Sequence, residues 1–83
     1  MQVVVLPVAR RDFRNLGRDV ARRIEGTIDA LARNPRPSGS RLLRGHASRT
    51  WRVRVGDWRI LYDVDYAGGL VTILRVLHRS QAY

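Results

Sequence analysis

Eighty-three residues, 45% of them apolar, suffice for one small core and are too few for two, so a single domain over 1–83 is expected. The absence of cysteine excludes disulfides and thiolate metal sites, and the two histidines, His46 and His78, lack metal-type spacing, so no cofactor and no metal are expected. Sixteen basic residues, all of them arginine, against seven acidic ones leave a net charge of +9 and point to a polyanionic partner, because each phosphate neutralised releases condensed counterions.

A plainer source of that charge is a solvated surface in a chain rich in arginine codons. No apolar run approaches the roughly 18 residues needed to span a bilayer. The N-terminal apolar run precedes its charges, the reverse of a signal peptide. A soluble, cytoplasmic protein with no membrane partner is expected.

Residues 2–6 form a short valine-rich run suited to a buried strand, which Pro7 ends while opening a helix. Ala9, Phe13 and Leu16 fall at i, i+4 and i+7, which predicts one short helix broken at Gly17. Val20, Ile24, Ile28 and Leu31 follow at spacings of 4, 4 and 3, with Thr27 completing the stripe. Arg18, Arg22, Glu25, Asp29 and Arg33 lie opposite, facing water. Gly26 weakens this second helix by about 1 kcal/mol relative to alanine. Two helices joined by a glycine read as a helical hairpin.

Residues 34–40 (NPRPSGS) are a loop, too short for an interdomain linker. Thr50–Val55 alternates strictly, with Trp51, Val53 and Val55 on one side and Arg52 and Arg54 on the other. Gly56-Asp57 suits a two-residue hairpin turn into a strand over Trp58–Asp65. Ala67-Gly68-Gly69 turns that strand into residues 70–77, which are apolar on both faces and therefore central. The expected class is α+β: an N-terminal strand, a helical hairpin, then a three-stranded antiparallel meander, with the helices packed on one sheet face.

If Trp51, Val53 and Val55 pack under the helices, Arg52 and Arg54 emerge on the open face, roughly 7 Å apart. Arg59 on the next strand and Arg79 beyond the last can join them. A strand with one wet face carries charge by default, but four arginines without compensating acids favour a phosphate clamp. Trp51 is expected in the core, and Trp58, Tyr62 and Tyr66 as core or sheet-edge aromatics.

The ordered set Leu43-Arg44-Gly45, the run from Trp51 through Arg52, Arg54, Gly56-Asp57, Trp58 and Arg59 to Tyr62, then Val76-Leu77-His78-Arg79 and a closing Tyr83 resembles the RelE/ParE toxin superfamily. The resemblance covers the whole chain, including Ala9, Phe13 and Asn34-Pro35, and implies a RelE-like fold. The RelE-type branch cleaves mRNA in the ribosomal decoding site, whereas the ParE-type branch poisons DNA gyrase and generally lacks the nuclease residues. Carried over by position, the resemblance makes Arg52 and Arg54 the basic strand pair, Arg59 the transition-state arginine, Arg79 the second arginine and Tyr83 the terminal tyrosine. Arg44, in the leucine-x-glycine signal, joins Arg52 and Arg54 as a candidate RNA-phosphate ligand.

The implied function is that of the toxin of a type II toxin–antitoxin system: a metal-independent endoribonuclease. The RNA 2′-hydroxyl attacks phosphorus, leaving a 2′,3′-cyclic phosphate and a 5′-hydroxyl. RelE itself has lysines where this chain has Arg52 and Arg54, and a guanidinium, which stays protonated at neutral pH, does not serve as a general base. Both remain suited to holding phosphate and a dianionic transition state. His78, since imidazoles exchange protons readily near neutral pH, and Tyr83, if nearby arginines depress its phenol, are the candidate acid and base. Strand alternation would send His78 and Arg79 to opposite faces, which leaves a packing role open for His78. His46 falls in an expected exposed loop.

The resemblance also implies a cognate acidic antitoxin over the arginine face or helical hairpin, with ribosome and mRNA as targets. The toxin alone is expected to be monomeric, and hetero-oligomeric with its antitoxin. The rival expectations are a ParE-like gyrase inhibitor without nuclease activity and a basic nucleic-acid-binding module that does no chemistry.

Overall fold

A computed structural model describes residues 1–43 and 50–81. Gln2–Val5 forms β1, and Pro7 occupies the first turn of α1, Pro7–Arg14, where an N–H has no intrahelical partner in any case. The backbone N–H of Asn15 closes α1 on the Asp12 carbonyl, and that of Leu16 bonds the Phe13 carbonyl. Gly17 is the N-cap of α2, Arg18–Arg33, whose first turn carries Asp19 and whose last carries Arg33, both favourably placed against the helix dipole. The expected stripe is the one buried: Ile24, Ile28 and Leu31 are enclosed, with Val20 packed against them. Fully burying a side chain of this kind contributes about 1.5–3 kcal/mol.

The rest of the chain supplies β2 (Arg41–Leu42), β3 (Thr50–Val55), β4 (Trp58–Asp65) and β5 (Leu70–His78). They join β1 in a five-stranded sheet of order β1-β5-β4-β3-β2, in which β1 runs parallel to β5 and the other pairings are antiparallel. The expected meander β3-β4-β5 is present, with β5 inside the sheet between β1 and β4. Val55 pairs with Trp58 across the Gly56-Asp57 turn, and Gly56 takes φ +59° at the first turn position, where glycine meets no Cβ penalty. Val53, Ile60, Tyr62, Val71, Ile73 and Val76 face the helices and complete the core. The Tyr62 hydroxyl, deep in that core, donates to the Pro35 carbonyl at 2.7 Å and so satisfies its buried oxygen.

Two features go beyond the sequence reading. β2 adds a short strand after the 34–40 loop, bonded along the outer side of β3. The β4–β5 ladder also carries a bulge: Leu61 pairs with Arg75 but Tyr62 pairs with Ile73, so Leu74 is an extra residue. Beside the bulge, Arg75 grips Asp12 of α1 through Nε at 2.8 Å and Nη2 at 3.1 Å, while the Val76 N–H donates to the same carboxylate at 2.9 Å. This fork clamps the first helix onto the sheet. Among the described residues no helix is long and apolar enough to cross a membrane.

Candidate functional site

Strand alternation and register decide which side chains meet on the sheet face opposite the helices. Because Val53 is buried in the helix-side core, its neighbours Arg52 and Arg54 point to the other face. The turn at Gly56-Asp57 then sets Arg54 directly opposite Arg59, and β5 places Leu77 beside Arg59. One row along, β2 places Arg41 opposite Arg52, and Arg52 lies opposite Leu61. Leu61 and Leu77 are only 7% and 8% exposed although both stand apart from the main core. The aliphatic stems of the neighbouring arginines are the chemistry suited to covering them.

Arg79 reaches the same region from beyond β5. Its backbone N–H donates to the Asp57 carbonyl at 2.7 Å, which ties the end of the chain's last strand to the β3–β4 turn. Its guanidinium lies 3.8 Å from the Asp57 carboxylate, a water-exposed pair of little strength. Arg59 Nη1 donates to the carbonyls of Gly56 at 3.1 Å and Trp58 at 2.9 Å, which hold its fork against the hairpin.

The electrostatics identify Arg59 as the centre of the cluster. Partial burial, followed by the charges of Arg54 and Arg52, lowers its pKa from the usual arginine range; Asp57 opposes this and Arg79 adds to it. All four arginines singled out from the sequence therefore bear on one point. Like charges directly opposite on a sheet destabilise the fold. An exposed cation row of this kind binds a polyanion well, because an incoming phosphate relieves the repulsion.

His78 falls elsewhere. His78 pairs with Trp58 and meets its ring edge-on, with centroids 5.1 Å apart and an interplanar angle of 82°. Trp58 packs against the helix-side core, so the imidazole is not brought together with the four arginines. His78 Nδ1 lies 2.9 Å from Ser80 Oγ and accepts the Ser80 N–H at 3.2 Å, which selects the tautomer protonated at Nε2. Arg44, Tyr83 and His46 lie outside the described residues. Trp51 packs against the core and Tyr62 is fully buried, while Tyr66 is 55% exposed at the end of β4. Arg36 lies over the Trp51 and Tyr66 rings at 5.6 and 5.5 Å, a pairing absent from the sequence reading. Arg41 was also missed, because a two-residue strand has no periodicity to detect.

A separate groove of about 560 Å³ runs between β1 and the helices, lined by Val3, Val5, Phe13 and Ile28 with Glu25 and Asp29 at its side. Arg10 also lines it, and none of Arg52, Arg54, Arg59 and Arg79 does.

The family model for the ParE toxin of the type II toxin-antitoxin system, parDE, matches residues 3–83. Toxin RelG of Mycobacterium tuberculosis (strain ATCC 25618 / H37Rv) is 40% identical over 76 residues, covering 90% of this chain and 86% of that protein. The toxin–antitoxin complex RelBE2 of Mycobacterium tuberculosis contains a chain that superimposes with a TM-score of 0.84 at 32% identity, over 94% of this chain and 96% of that one. The archaeal RelE–RelB complex of Pyrococcus horikoshii OT3 gives a TM-score of 0.83 at 25% identity, over 98% and 97% of the two chains. Sequence and fold thus agree along nearly the whole length, and the chain belongs to the RelE/ParE superfamily of type II toxin–antitoxin toxins.

Proposed function

We propose that this toxin is a ribosome-dependent endoribonuclease that cuts mRNA in the cytoplasm, and that the open arginine face holds the scissile phosphate. The observation that carries this reading is the register of Arg54 against Arg59, with Arg52 and Arg79 converging on the same guanidinium. Attack of a 2′-oxygen on phosphorus builds negative charge on the non-bridging oxygens. Fixed cations aimed at that charge stabilise the transition state more than the ground state. Arg59 and Arg79 take the non-bridging oxygens, and Arg52 and Arg54 seat the flanking backbone, with Arg44 as a further phosphate ligand. Guanidinium groups supply the positive charge, so the reaction needs no metal.

A base must still remove the 2′ proton and an acid must protonate the departing 5′ oxygen. Tyr83 and His78 are the groups proposed for these tasks. For His78 to serve, the ring must leave the Trp58 face, or the RNA must reach its Nε2 there. Tyr83 therefore carries more of the proposal.

The partner that holds such a toxin in check is an acidic antitoxin. Two of the similar structures are named as complexes, the toxin–antitoxin complex RelBE2 and the archaeal RelE–RelB complex. Its carboxylates would occupy the same arginine face or the adjoining hairpin, and the two chains would form a hetero-oligomer.

The matching family model is described as a ParE toxin, which favours gyrase inhibition as a second reading. Primer extension on message from cells expressing the toxin separates the two. Codon-phased cuts in the message support the nuclease. Broken DNA with intact message refutes it and supports the gyrase poison.

A further inference from the structure

The clamp described above uses Arg52 and leaves its cross-strand neighbour Arg41 unexplained. β2 is only two residues long, yet it sets Arg41 in direct register with Arg52. The two line a groove of about 650 Å³ together with Ser40, Leu42, Leu43 and Trp51, and among the described residues no acidic side chain contributes to its wall. Among the described residues neither arginine enters an ion pair. The Nε of Arg52 is buried and has no hydrogen-bond partner among those residues. An orphaned donor next to an uncompensated like-charge pair is costly for the free protein, and a bound anion corrects both defects. The row lies two residues along β3 from Arg54, roughly 7 Å, close to the separation of neighbouring phosphates on one strand.

We infer that Arg41 and Arg52 form a second phosphate subsite that holds the phosphate next to the scissile one, on a single-stranded RNA lying across the sheet from β5 toward β2. The inference rests on the nuclease reading given above. Arg41 touches no reacting atom in this arrangement; it fixes the register of the RNA and adds one phosphate to the footprint.

The test uses the full-length chain and a single-stranded RNA made uncleavable by a 2′-deoxy substitution at the cut linkage, alongside cleavage of intact message on programmed ribosomes. Arg41→Ala should weaken binding of the uncleavable RNA by about tenfold and lower the slope of log affinity against log salt by about 0.7, the share of one phosphate on a single strand. In the cleavage assay the loss should fall on KM rather than kcat. An uncharged methylphosphonate at the adjoining linkage should weaken the parent protein more than it weakens Arg41→Ala, which keeps only Arg52 on that phosphate, a coupling that a merely structural role would not produce. The thermal midpoint of Arg41→Ala should hold or rise, since a repulsion is removed.

Unchanged RNA affinity in Arg41→Ala overturns the inference, as does an equal loss for every methylphosphonate position. Weaker antitoxin binding with unchanged RNA affinity also overturns it and assigns Arg41 to the protein partner. If Arg59→Ala abolishes cleavage while Arg41→Ala changes nothing, only the second subsite is wrong. If the parent protein neither binds nor cuts RNA, the nuclease reading fails and the subsite fails with it.

Discussion

Replacing Arg59 by alanine should separate chemistry from folding, and the structure sets the size of both effects. In the folded chain Arg59 Nη1 makes two hydrogen bonds, to the carbonyls of Gly56 and Trp58. Each contributes about 0.5–1.5 kcal/mol, toward the low end at a half-exposed site where water can replace the donor. Against this, alanine removes a cation that faces Arg54 directly and also feels Arg52 and Arg79. Relieving a like-charge pair across a sheet restores about 0.2–1 kcal/mol. The two effects nearly cancel, so unfolding free energy should change by less than about 1 kcal/mol and the thermal midpoint by less than about 4–8 °C. Activity should respond differently, because removing one donor aimed at a developing oxyanion costs about 10²–10³ in rate. Thermal melts followed by circular dichroism and single-turnover cleavage on programmed ribosomes read the two quantities separately. Cleavage within about threefold of the parent would refute the transition-state role. A collapse of the midpoint by much more than about 8 °C would instead make Arg59 a structural residue.

Three further expectations concern the scaffold. Burial pushes the Asp12 carboxyl up, but the Arg75 hydrogen bond, the Val76 N–H and the Arg75 and Arg11 charges together hold it below the usual carboxylate range. Its contribution to stability is therefore present above the unfolded pKa of about 3.9 and lost as pH falls through the lower folded value. Asp12→Asn should flatten that acid limb in urea titrations and lower stability near neutrality by about 1–3 kcal/mol, a range kept modest because Arg75 is partly in water; an unchanged acid limb would show that the fork contributes nothing. Gly26 is exposed in α2 and an added Cβ would meet nothing within 4 Å, so Gly26→Ala should stabilise by about 1 kcal/mol in denaturant melts, with no change in cleavage. Gly56 has φ +59°, and a Cβ there would lie 2.8 Å from Arg23 Nη2. Gly56→Ala should destabilise by about 1–2 kcal/mol, mostly through backbone strain because the arginine tip can move, and a neutral result would mean that the turn relaxes.

Most of the fold was legible in the sequence because its signals are short-range. The spacing of Val20, Ile24, Ile28 and Leu31 specifies a helix and its buried face, and the alternation of Thr50–Val55 specifies which side of a strand is wet. Even the Arg54–Arg59 pairing follows from local chemistry, since a two-residue turn at Gly56-Asp57 leaves little choice of register. What the sequence could not show are contacts between segments far apart in the chain. Arg75 reads as one charged residue in an apolar strand until a bulge and a partner 63 positions away, Asp12, give it a purpose. Arg41 acquires a place only when β2 docks beside β3, and the edge-on contact of His78 with Trp58 exists only once β4 and β5 pair. Periodicity records which face of an element is apolar, a property of neighbouring residues along one chain segment. Which side chains meet across that face is decided by packing and register, and these exist only once the separate elements have closed on one core.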